Sequence, residues 1–210
     1  MRFFGSKDTK TDDKILVGDR VPRYSSAWSQ LLKELKQGEG LRVLDFGPTS
    51  PNNINFITAL GHSIYTSSLV DEAVDPKWMM TGELFEQSSF DVHGFMQDNL
   101  DFGDRKFDVV LFWDTAGLIP PSLVEAVIDR LYEVTNPGAR LLAFFPAQKQ
   151  NANYMRFHLR DDEYVDAQRA GDHPIQGVYN TRQVEKLFAK FAAYRFFLAK
   201  DNLREVLVTR

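Results

Sequence analysis

The chain of 210 residues has no cysteine. Disulfides, thiolate zinc sites, iron–sulfur clusters and a cysteine nucleophile are excluded together. Long apolar runs are missing as well. The longest, Val109–Trp113 and Leu141–Phe145, fall far short of the ~20 residues of a membrane-spanning helix. The amino terminus carries Phe3 and Phe4 but turns polar at once, so no secretory leader is read there. Positive charge is not in excess: 25 Lys and Arg against 29 Asp and Glu leave a net charge of −4 and a pI near 5.6. That balance disfavours nucleic acid as a partner. The four histidines (His62, His93, His158 and His173) form no pair at ligand spacing, so no metal site is expected. There is no lysine-bearing phosphate loop, no glycine closing a nucleophile elbow at Ser63, and no G-x-G-x-x-G. These absences imply a soluble, cytoplasmic protein whose 43% hydrophobic content supports a core without staples.

Residues 6–14 hold three positive and three negative charges and no apolar side chain, which reads as a tail. With the lead-in segment Ile15–Tyr24 it sets residues 1–24 apart from a domain spanning 25–210. Within that domain Trp28, Leu31, Leu32 and Leu35 repeat at helical spacing over Ser26–Lys36, bounded by serines and by Gly38 and Gly40. Leu41–Phe46 reads as a buried strand ending at Gly47-Pro48. A helix is expected over Asn52–Leu60, a strand over Ser63–Leu69, a helix over Trp78–Phe85 and a third strand over Val92–Met96. Phe107–Trp113 is apolar on successive residues, as in a parallel strand covered on both faces. A helix over Pro121–Val134 opens on proline and stops at Asn136-Pro137-Gly138, and Arg140–Phe145 is the next strand. Asn180 and Gln183 are spaced as a capping box for a helix over Thr181–Phe191. Ala193–Ala199 and Arg204–Thr209 are joined by too short a turn for a crossover, so they must be antiparallel. The order predicts an α/β fold: a doubly wound, mostly parallel sheet with an antiparallel carboxy-terminal strand pair.

Ligands of such a sheet bind at the carboxyl ends of its strands. The candidate residues there are Asp45-Phe46-Gly47-Pro48-Thr49, Ser68-Leu69, Asp98-Asn99 and Trp113-Asp114. Each also has a plain structural reading, as a turn, a cap or, for Trp113, a core side chain. The segments VLDFGPTSP (43–51), GHSIYTSSL (61–69), FDVVLFWD (107–114) and LYEVTNPGARLLAFF (131–145), with Asp98 between them, resemble the class I S-adenosylmethionine-dependent methyltransferases over residues 25–210. The resemblance implies S-adenosylmethionine as cofactor, with Asp45 and the Gly47 turn at its amino-acid moiety. It places Ser68 where the family carries a ribose-binding acid, with Asp71 and Glu72 nearby. Asp98 falls at the adenine amino group, Asn99 beside the ring, and Trp113-Asp114 between cofactor and acceptor. Thr49 and Pro51 stand where the family has further glycines, so the cradle is degenerate.

Residues 154–160 (YMRFHLR) alternate, with Tyr154, Arg156, His158 and Arg160 on one face, and pair as a hairpin with Tyr164–Gln168. That face is either solvated or turned to the substrate; in the second reading Tyr154, Arg156 and His158 join Asp114 as acceptor-binding residues. His158 or Asp114 would serve as a base where the acceptor needs one. Two functions therefore stand: a methyltransferase acting on an unidentified small-molecule or protein acceptor, and a methyltransferase-like binding or regulatory module without catalysis. A nicotinamide-dependent oxidoreductase fits less well, for want of the glycine fingerprint. Self-association and a protein partner stay open.

Overall fold

The computed structural model describes residues 16–80, 88–149 and 154–210. The tail at 6–14 and most of the helix expected over Trp78–Phe85 lie outside these residues. The chain runs through β1 (Val17–Tyr24), α1 (Ser26–Gln37), β2 (Arg42–Phe46), α2 (Pro51–Ala59), β3 (Ser63–Ser67) and α3 (Leu69–Glu72). A 3₁₀ turn at Pro76–Trp78 leads to a two-residue ribbon, β4 (Met79–Met80) with β5 (Ser89–Phe90). Then come α4 (Val92–Asn99), β6 (Phe107–Trp113), α5 (Thr115–Leu118), α6 (Pro121–Val134) and β7 (Thr135–Pro146). The hairpin β8 (Tyr154–Leu159) and β9 (Tyr164–Gly171) precedes α7 (Thr181–Leu187), β10 (Ala193–Phe197) and β11 (Leu203–Thr209).

The main sheet has the order β10-β11-β7-β6-β2-β3. The pairs β2–β3, β2–β6 and β6–β7 are parallel, whereas β11 runs antiparallel to β7 and β10. The expected fold class is observed. Alternate side chains divide the core into two layers. Leu44, Phe46, Val110, Phe112, Leu141 and Phe145 face α3 to α7. Val43, Val109, Leu111, Trp113, Leu142, Phe144 and Leu207 face α1, α2 and the hairpin. Two local capping signals are found where they were read. Ser25 accepts from the Trp28 amide at 3.1 Å to start α1, and Asn180 and Gln183 form a reciprocal capping box at α7.

Two segments depart from expectation. Val92–Met96 is not a strand: α4 runs from Val92 to Asn99, with the Asp91 carboxylate accepting from the Gly94 amide at 2.9 Å. Val92, Phe95 and Met96, spaced i, i+3, i+4, pack on the core, a helical pattern hidden inside a short apolar stretch. Residues Val17–Tyr24 form β1, which pairs antiparallel with β9 and makes a second sheet of order β1-β9-β8. This sheet covers the α1–α2 layer beside the carboxyl end of β2.

Candidate active site

The parallel strands β2, β3 and β6 end at Phe46, Ser67 and Trp113. Just beyond or at these ends stand the polar groups Asp45, Ser68 and Asp114. Asp45 is fully buried. Its Oδ1 accepts from Trp113 Nε1 at 2.8 Å and Arg156 Nη1 at 3.0 Å. Its Oδ2 accepts from Asn53 Nδ2 at 3.0 Å and from Arg156 Nη2. Four donors occupy about the full capacity of one carboxylate.

The polar ends of α2 explain how Arg156 arrives there. Ser50 caps α2, its Oγ accepting from the Asn53 amide at 3.2 Å, and Pro51 opens the helix. His158 Nδ1 lies 2.8 Å from Ser50 Oγ, and His158 Nε2 lies 2.9 Å from Gln168 Oε1. Asn52 donates to the Leu159 carbonyl at 2.8 Å. Asn53 donates to the Phe157 carbonyl at 3.1 Å and accepts from the Leu159 amide at 2.8 Å. Strand β8 is thus stitched across the start of α2, over the β2–α2 turn. Burial, together with the Arg20 and Arg156 charges, pushes the His158 imidazole down to about 4, so it is neutral at physiological pH.

Tyr154, Arg156 and His158 are all buried, which corrects the solvated-face reading of the hairpin. Trp113 is a core side chain. Its ring stacks on Phe157 at 5.1 Å and meets Phe144 edge-on at 5.5 Å. Its φ of 51° is left-handed, a costly conformation for a bulky residue and one concentrated at functional sites. Phe46 and Leu69 point into the opposite core layer, Pro48 is buried, and Thr49 is exposed.

Ser68 donates to Asp71 Oδ2 at 2.6 Å, and the buried Tyr154 phenol belongs to the same group. Burial pushes that phenol upward. His173 Nε2 approaches Asp71 at 3.4 Å, and its ring meets Tyr154 edge-on at 5.3 Å. Asp114 follows β6, is buried, and its side chain makes no capping hydrogen bond to α5. Burial raises its carboxyl to about 7, opposed by its own backbone amide and by the Arg23 charge. Asp98 and Asn99 do not join this group. They end α4, Asp98 exposed and Asn99 bonded to the Phe95 carbonyl at 3.0 Å. Phe102, just beyond, packs on Phe107, the first residue of β6, so this segment lies at the amino end of that strand.

Asn53 and Ser50 were missed as site residues, although Ser-Pro at 50–51 is itself a helix-start signal. Among the described residues no group of histidines and carboxylates could hold a metal ion, and no helix is long and apolar enough to cross a membrane.

Comparison with known proteins agrees with this architecture. The methyltransferase domain family profile matches residues 20–191. The chain belongs to that family, and its methyl acceptor is unidentified. Solved structures of similar fold include a SAM-dependent methyltransferase from Methanosarcina mazei, 16% identical with a TM-score of 0.50, covering 82% of this chain and 93% of that one. A protein from Pyrococcus horikoshii OT3 is 13% identical with a TM-score of 0.51, covering 87% of this chain and 88% of its own. TehB from Haemophilus influenzae is 12% identical with a TM-score of 0.50, covering 86% of this chain and 61% of its own. No curated protein matches the sequence.

The site can be tested against the cofactor that the family implies. A Cβ added at Gly47 (φ 136°) would meet Arg156 Nη1 at 2.8 Å. The space a glycine leaves for close approach of a ligand is therefore filled by a guanidinium. Asp45 has no lone pair left, and Ser68 supplies only a neutral group already engaged with Asp71. With Arg156 so placed, the amino-acid end of S-adenosylmethionine does not fit over the β2–α2 turn.

Proposed function

We propose that the protein binds S-adenosylmethionine at the carboxyl ends of β2, β3 and β6, and that Asp114 takes the proton from the acceptor that is methylated. Asp114 carries this reading. A carboxyl buried without an ion-pair partner costs stability. Placed just after the central strand β6, and raised to about 7, it has the proton affinity that a general base needs near neutral pH. The Asp114 charge also acts on the buried Tyr154 phenol and pushes it further up.

The test is calorimetric titration with S-adenosylmethionine and S-adenosylhomocysteine, with melting temperature followed in parallel. Micromolar binding is expected, with ~2.7 kcal/mol of stabilisation at a hundredfold excess over Kd. Asp114→Asn should bind both within a few-fold of the parent chain, since Asp114 acts on the acceptor. Absence of heat and of stabilisation at millimolar ligand would overturn the proposal and assign the fold to binding without catalysis.

A further inference from the structure

The two edges of the main sheet are unlike. β3 forms one edge and carries Ser63, Thr66 and Ser67 among its five residues. β10 forms the other, and the run from Ala193 to Ala199 (AYRFFLA) holds one charge and neither proline nor glycine. It pairs with β11 residue for residue from Ala193 to Phe197, without a bulge. No strand pairs with its outer edge among the described residues. Phe196 and Phe197 are half-buried, one against each core layer. Tyr194 is 39% exposed and Leu198 wholly so. Edge strands of soluble proteins are ordinarily protected by charge, proline, a bulge or a covering segment. Arg195, the one charge on β10, is drawn aside. Its guanidinium lies 4.9 Å over the Phe197 ring, and Nη1 donates to Gln30 at 3.3 Å.

We propose that β10 is the interface of a symmetric dimer. A second copy of this chain lays its β10 antiparallel to the first, joining two six-stranded sheets into one. The chemistry of the strand selects the register. Around a two-fold axis normal to the sheet, one residue meets its own copy. With Arg195 on the axis, like charges would stand directly opposite each other, which is destabilising. Centring on Tyr194 or on Phe197 would set Leu198 opposite Lys190, or Tyr194 opposite Lys200. With Phe196 on the axis the two Phe196 rings meet, Arg195 faces Phe197 of the second copy, and Tyr194 faces Leu198 of the second copy. Aromatic and aliphatic pairs of this kind stabilise antiparallel strands. Both exposed apolar side chains are then covered, and the open backbone edge is hydrogen-bonded. Any extended peptide would satisfy that backbone, but the strand's own sequence matches its side chains. That self-complementarity commits the edge to a second copy.

The experiment is analytical ultracentrifugation of the full chain at micromolar concentrations, with melting temperature checking that each variant folds. Wild type should sediment as a dimer. Tyr194→Lys and Leu198→Glu, both at exposed positions, should each raise the dimer Kd by roughly tenfold or more. The double variant Tyr194→Lys, Leu198→Glu sets opposite charges across both symmetric contacts and should recover the dimer at low salt. Within one strand these positions lie about 13 Å apart, so recovery reports contact between copies. A monomeric wild type overturns the proposal and leaves the edge to a different chain. A dimer that neither single variant weakens, or that the double variant does not recover, overturns it as well.

Discussion

Two arginines of the added sheet reach two buried carboxylates of the main sheet, and they are completed differently. Arg23 of β1 donates from Nη1 to Glu205 at 2.6 Å and from Nε and Nη2 to Asp201 at 2.6 and 3.1 Å. Its guanidinium lies 4.5 Å over the Phe144 ring. Glu205 in turn accepts from the Ala27 amide at 2.9 Å, at the start of α1, where a negative charge is favoured. Every nitrogen of Arg23 has a protein acceptor. Arg156 of β8 has the same kind of partner in Asp45 but a buried Nε–H with none among the described residues. Both pairs sit on the same side of the sheet. One is a finished structural pin. The other leaves its Nε–H without an acceptor among the described residues, at the cost of desolvating that group.

The largest effect should come from breaking the pin. Arg23→Met leaves Glu205 buried with the Ala27 amide alone, and urea denaturation should show a loss of ~3–5 kcal/mol. A loss under ~1 kcal/mol would reduce this pair to the worth of a surface ion pair and remove the contrast.

Asp114 gives the next largest effect, seen in the pH profile of stability. The native carboxyl keeps its proton up to about 7, whereas the unfolded chain releases it near 3.8. Between those values the native state binds more protons, so this residue's contribution falls as pH rises. His158 acts in the opposite sense. It stays neutral down to about 4, while the unfolded imidazole charges near 6.5, so its contribution rises with pH over that window. Asp114→Asn should therefore convert a compensated profile into one that climbs from pH 4 to 6.5, by a few kcal/mol. A variant with the parent profile would show that Asp114 is not protonated in the native state.

Trp113→Phe is the smallest change. It removes one of four donors on Asp45 and should lower stability by ~1–2 kcal/mol, measured by the same denaturation.

Much of the frame could be read from local pattern. Apolar spacing at Trp28, Leu31, Leu32 and Leu35, the capping box at Asn180 and Gln183, and the alternation at 154–160 all act over a few residues, so short windows reveal them. Asp45 and Asp114 were legible as polar groups ending apolar strands. Asp98 was misplaced because Val92–Met96 is too short for periodicity to separate helix from strand. The helix carries Asp98 and Asn99 away from the carboxyl ends of the strands. Asn53 and Glu205 gave no local signal of their partners, and of the hairpin face that alternation left undecided Tyr154, Arg156 and His158 are buried while Arg160 is partly exposed.

By itself the sequence determined the alternation of strands and helices, their order and the ends at which polar groups cluster. Those follow from side-chain spacing and capping within single elements. Only the tertiary structure decided that Arg156 meets Asp45, 111 residues away, and that Arg23 meets Glu205 across 182. A buried charge takes whichever opposite charge the packed layers bring within hydrogen-bond reach. That choice depends on the added sheet docking over α1 and α2, which no short stretch of chain encodes.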